Sequence, residues 1–182
     1  MTIVNHFGKR ALRVVAVMSV LLLGACSTID ATQAPSLSAG DTVLVLPIAN
    51  YTETPDAGQS AQAIAANLLR HRGLVNVSRA PVDPNAGAMF DAAPHGDTAQ
   101  DLAAARQQHA KYALSGAVEE WRYKVGVDGE PAVGITFELL DVESGRVLWS
   151  VTGTRTGWSR SGLASVAQVL IGKLLSPLHI TQ

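Results

Sequence analysis

TVLVLPIAN, Thr42 to Asn50, is an apolar run that stops at Pro47 and opens into the polar loop NYTETPDAG. A strand with one wet face alternates apolar and polar residues. A run without alternation is covered on both faces, as parallel strands between helices are. The neighbouring segments agree. Gln59 to Arg72 sets Ala61, Ile64, Ala65, Leu68 and Leu69 on one stripe at helical spacing and stops at Gly73. LVNVSR, Leu74 to Arg79, is a short second strand. Strand, helix and strand of these lengths predict a crossover with parallel pairing.

Ala80 to Gly96 is rich in Pro, Gly, Ala and Asp and reads as a loop. TAQDLAAARQQHA opens with a capping box, Thr98 with Asp101 three residues on, and its alanines and leucine favour a helix. Three strand-like segments follow: Tyr112 to Val127, Ala132 to Asp141 and Arg146 to Thr156. DGEP and ESG join them at hairpin length. Gly162 to Leu175 places Leu163, Val166, Leu170 and Leu174 on one helical face, and Pro177 ends it. The order β-α-β-α-β-β-β-α predicts an α/β fold. It is a single domain whose mixed β-sheet is parallel early and antiparallel late, with helices packed on it.

The N-terminus has a different purpose. Lys9, Arg10 and Arg13 precede an apolar run from Val14 to Leu23. That run is half the roughly 20 residues a membrane span needs, and the pattern is that of a secretory signal. It ends in LLLGACS with Cys26, the chain's single cysteine, which has no intramolecular disulfide partner. Leu23-Gly24-Ala25-Cys26 resembles the bacterial lipobox. The resemblance implies that residues 1–25 are removed as a lipoprotein signal peptide and that Cys26 carries a diacylglycerol and an N-acyl chain such as palmitate. Three chains anchor a protein durably where one holds marginally. Ser27, in a position where aspartate signals inner-membrane retention, implies the outer membrane. Residues 26–40, the lipidated cysteine with STIDATQAPSLSAG, read as anchor and flexible tether. Residues 41–182 read as the periplasmic domain.

Without the signal the chain has 11 basic and 15 acidic side chains, a net charge near −4. That argues against nucleic acid as a partner. Catalytic patterns are missing. GWSRSG, Gly157 to Gly162, sets its second glycine one residue late for a nucleophile elbow, and only His179 lies downstream. His71, His95, His109 and His179 have no metal-ligand spacing. No phosphate loop is present. The expectation is a protein that is not an enzyme and has no cofactor.

VEEWRYKVGVDGEPAVG, Val118 to Gly134, is unusual. Alternation puts Glu119, Trp121, Tyr123 and Val125 on one face, and Glu120, Arg122 and Lys124 on the other with Val118. One reading is a half-exposed strand with Trp121 in the core. The other is a subunit contact or an acidic surface facing a partner. Trp149 shares a face with Val147 and Val151, and core is its default. Trp158 lies in a glycine-serine turn, where it either caps a core edge or meets a membrane or protein interface. Both tryptophans are candidates for a membrane or subunit interface.

VLVLPIAN with its loop and helix, then a capped helix leading into KYALSGAVEEW, resembles periplasmic lipoproteins that share a fold with the amino-terminal domain of TolB and with the curli secretion lipoprotein. NYTETPDAG, GAVEEWRYKVGVDGEPAVG, ESGRVLWS and RTGWSRSGL narrow the resemblance, over residues 42 to 176, to the PelC family of outer-membrane lipoproteins. This implies a homo-oligomeric ring, dodecameric in the family, on the inner leaflet of the outer membrane. The ring would sit under the export porin PelB and present an electronegative funnel to the cationic Pel exopolysaccharide of the biofilm matrix. The acidic candidates for guiding it are Glu119, Glu120, Asp128, Glu130, Asp141 and Glu143. Two alternatives stay in the same group. A curli-like secretion channel needs a long alternating strand pair for the membrane. An activator of an envelope enzyme needs reach, and a tether of about 14 residues spans at most roughly 50 Å.

Overall fold

The structure, a computed structural model, describes residues 27–81, 98–126 and 129–182. Nine strands and three helices follow in chain order among them. They are β1 (Ser27–Ala31), β2 (Ser36–Ser38), β3 (Thr42–Val45), β4 (Ala49–Asn50), α1 (Ala57–His71), β5 (Asn76–Arg79), α2 (Thr98–Gln107), β6 (Tyr112–Tyr123), β7 (Pro131–Asp141), β8 (Val147–Thr156), α3 (Leu163–Leu174) and β9 (His179–Thr181). The main sheet has the order β1-β8-β7-β6-β3-β5, with β4 also on β6, and β2 pairs with β9 in a small second sheet. β3 lies parallel to both β5 and β6, while β6, β7, β8 and β1 pair antiparallel. The mixed α/β domain predicted from the element order is the one found.

The apolar run at Thr42 is continuous because both of its faces are covered. Val43, Val45 and Ile48 join the main core under α1 and α3. Leu44 and Leu46 join a smaller core under α2, with Leu102, Ala105, Ala113 and Leu140. Pro47 has no N–H for the ladder, and it separates β3 from β4. Where α1 ends, Arg72 donates to the carbonyls of Gly172 and Leu175, both at 2.9 Å. A cation there meets the negative end of the α3 dipole and ties the two helices together. Partial burial pulls its pKa below the ordinary arginine value.

Three expectations are corrected. The stretch read as a tether is largely part of the fold. β1 pairs with β8, with Ser27 opposite Arg155 and Ala31 opposite Val151. Leu37 in β2 is buried. The sequence hides this because no residue of β1 is buried and Leu37 is the one buried side chain of β2. Gly153 of β8 makes the approach possible, since a Cβ there would lie 2.7 Å from the Leu174 side chain and 2.9 Å from the Thr28 carbonyl. Secondly, the helix at Thr98 stops at Gln107 rather than Ala110, because His109 turns to φ 54 and ends it. Thirdly, the alternation expected across Val118 to Val125 breaks. A register shift between Val118 and Glu120 inserts one extra residue. Val118 and Trp121 therefore both enter the core, whereas period 2 put them on opposite faces. The predicted loop beyond Pro81, the end of the predicted strand at Val127 and the side chain of Thr98 lie outside the described residues.

Candidate functional site

α1 and α3 cover one face of the main sheet, and α2 covers only the β3 side of the other. The rest of that other face, on β6, β7, β8 and β1, is open and polar. The bulge turns Glu119 onto it, where the Thr136 hydroxyl donates to Glu119 Oε1 at 2.7 Å. Thr136 and Thr152 hydroxyls lie 2.9 Å apart, and those of Thr28 and Thr154 3.0 Å. Register places Glu138 opposite Ser115 and Ser150, and Asp30 opposite Thr152, on this same face. Glu120 is there too, but Arg122 donates to it at 3.0 Å and offsets its charge. Among the described residues Asp30, Glu119 and Glu138 form no ion pair. The face thus presents three uncompensated carboxylates among threonine and serine hydroxyls.

The six predicted acidic residues do not form one group. Glu119 and Glu120 share the open face. Glu130 stands at the β6–β7 hairpin end beside Lys124, whose N–H bonds its carbonyl. Asp141 and Glu143 lie at the opposite end, in the β7–β8 turn. Asp141 accepts from the Ser144 hydroxyl and N–H, and these bonds hold its carboxyl below the usual carboxylate range. It closes the turn that needs Gly145 at φ 70. Asp128 and Cys26 lie outside the described residues. Asp30 and Glu138 were missed in the sequence. Asp30 sits in the stretch read as a tether. Glu138 had a signal, because Thr136 and Glu138 alternate with Ile135, Phe137 and Leu139.

The tryptophans separate. Trp149 is 1% exposed, in the main core, so it meets neither leaflet nor subunit and the interface expectation for it is corrected. Its strand face is the one that packs under the helices. Trp158 is 64% exposed, and Tyr123 and Val125 are exposed with it. These three share an end of the sheet. Tyr123 pairs with Pro131, the Gly157 N–H bonds the Pro131 carbonyl, and the Leu163 N–H donates to the Tyr123 hydroxyl. β1 begins at this end as well, opposite Arg155.

Beyond these surfaces, Asp41 accepts from Lys111 at 2.8 Å. Burial works against ionisation of Asp41, but Lys111 and the Ser38 N–H outweigh it and lower its pKa. The pair bridges the starts of β3 and β6 and reads as structural. A shallow depression of about 410 Å³ is lined by Gln59, Gln62, Arg79, Ala80 and Pro81, none of them a carboxylate, thiol or imidazole. Among the described residues no group of His, Cys, Asp and Glu could hold a metal ion, and no helix is long and apolar enough to cross a membrane.

No family model and no curated protein matches the chain. Solved structures do. The PelC dodecamer of Paraburkholderia phytofirmans is 57% identical, over 86% of this chain and all of that one, with a TM-score of 0.74. A single-substitution variant of that dodecamer, in another crystal form, gives 57% over 85% of this chain and 99% of its own, with a TM-score of 0.73. Lipoprotein GNA1162 of Neisseria meningitidis is 19% identical over 75% of this chain and 96% of its own, with a TM-score of 0.56, a likeness of fold alone.

Proposed function

As this chain belongs to the PelC family, we propose that it is an outer-membrane lipoprotein that assembles into a periplasmic ring and guides a cationic polysaccharide to the export porin PelB, without covalent chemistry. The observation that carries this reading is the 57% identity to a dodecamer over that protein's whole length. In the proposed protein residues 1–25 are removed, Cys26 carries the acyl anchor, and everything from Ser27 belongs to the periplasmic domain.

The open face supplies the electrostatics. A net charge near −4 per chain is modest. A ring repeats it in every subunit, and a concave surface of one sign concentrates a polycation. Each exposed carboxylate contributes little alone, because salt screens it beyond about 8 Å at physiological strength. Asp30, Glu119 and Glu138 are the residues proposed to guide the polymer, with Glu130 and Glu143 at the two ends. Glu120 is offset by Arg122, and Asp141 is engaged in its turn. The enzyme-activator alternative loses support, because β1 docks at Ser27 and leaves no free tether after the anchor.

The test is binding of the purified lipoprotein, in detergent, to partly deacetylated chitosan. Affinity is expected to fall at least about tenfold between roughly 0.05 and 0.5 M salt. Binding that ignores salt would overturn electrostatic guidance.

A further inference from the structure

The end of the sheet that carries Trp158 also collects positive charge, against the acidic character of the rest of the chain. Lys124 follows β6, Arg155 is the last residue but one of β8, and Arg160 lies two residues past Trp158. None of the three forms an ion pair among the described residues. Against them stand Glu130 and, on the loop after β4 whose Thr54 hydroxyl donates to the Trp121 carbonyl, the exposed Glu53. Arg122 lies near the same end, opposite Ala132, but is engaged with Glu120. α3 starts here too. Its first turn has no acidic residue and its N-cap, Gly162, has no side-chain cap, so its amide dipoles add to the positive potential.

We propose that this end binds anionic phospholipid headgroups, with Trp158, Tyr123 and Val125 entering the interface and Lys124, Arg155 and Arg160 contacting the phosphates. The inference rests on the proposed leaflet-facing orientation and adds a lipid preference to it. Two arguments select a lipid surface over a protein partner. The chain enters β1 at Ser27, opposite Arg155, one residue after the proposed anchor, so the acyl chains emerge beside these cations. And the exposed side chains pair a tryptophan and a tyrosine with basic residues, the composition of a headgroup-level belt. Basic side chains near an anionic surface act additively, and a ring multiplies them.

The test uses the mature lipoprotein reconstituted into phosphatidylcholine vesicles. Each vesicle preparation contains the same small fraction of either brominated phosphatidylglycerol or brominated phosphatidylcholine. Trp158→Phe defines the background from Trp121 and Trp149. At low salt the anionic lipid is expected to quench Trp158 at least about twofold more than the neutral one. The preference should disappear at high salt, and in the combined variant Lys124→Gln, Arg155→Gln, Arg160→Gln. Equal quenching by both lipids would overturn the headgroup inference and leave the leaflet orientation standing. Quenching by neither would overturn both. A protein partner in place of lipid would give that second result.

Discussion

Cys26→Ser is expected to abolish lipidation outright. The chain has one cysteine, so no second thiol can take the diacylglycerol. No described helix could substitute as a membrane span. Anchoring depends on buried methylenes at about 0.8 kcal/mol each, and losing three chains removes far more than the exposed Trp158 end can replace. Incorporation of a palmitate analogue should drop to background, the protein should leave the outer-membrane fraction, and polymer export should fall with it. Labelling equal to wild type would contradict the lipoprotein reading. A second consequence follows from β1. With Ser27 held against Arg155, the proposed anchor at Cys26 would have almost no slack and would hold the domain on the leaflet in one orientation.

The two tryptophans should respond in opposite ways. Trp149→Ala is expected to cost about 3–5 kcal/mol, the range for emptying a large aromatic site in a packed core. Trp149 is opposite Leu139 in the sheet and lies in the core that α1 and α3 cover. Its indole N–H has no hydrogen-bond partner among the described residues, so Trp149→Phe should cost much less, because it removes an orphaned donor along with some volume. Trp158→Ala, at an exposed site, should change stability by less than about 0.5 kcal/mol. Urea midpoints at one fixed protein concentration check this, since assembly shifts apparent stability. Equal losses at both sites would contradict the placement of Trp149 in the core and Trp158 at the surface.

Where the sequence was clear, burial had left a strong period. The doubly covered strand at Thr42, the α1 and α3 stripes and the late hairpins were legible because each buries a regular set of side chains. β1 and β2 were not. β1 buries none of its five residues and β2 only Leu37, and Thr28 meets Thr154 across the sheet in a hydrogen bond that leaves no hydropathy signal. The bulge at Glu119 was equally silent, since one inserted residue shifts the pattern without changing composition. That shift alters the candidate site most. It turns Glu119 away from Trp121 and onto the face where Thr136, Glu138 and Asp30 lie. The acidic residues were recognised by type, but their grouping depends on register, and Asp30 joins them only through a strand that read as a linker.

The central claim is that many carboxylates act together as a field and none acts as a catalyst. Polymer export measured in cells, across Asp30→Lys, Glu119→Lys and Glu138→Lys singly, in pairs and together, tests it most directly, with anchoring and ring assembly verified for each variant. The account predicts a graded loss, modest for each single reversal and nearly complete for the triple variant. One Glu→Gln substitution that abolished export in an intact ring, or a triple reversal that exported normally, would contradict it.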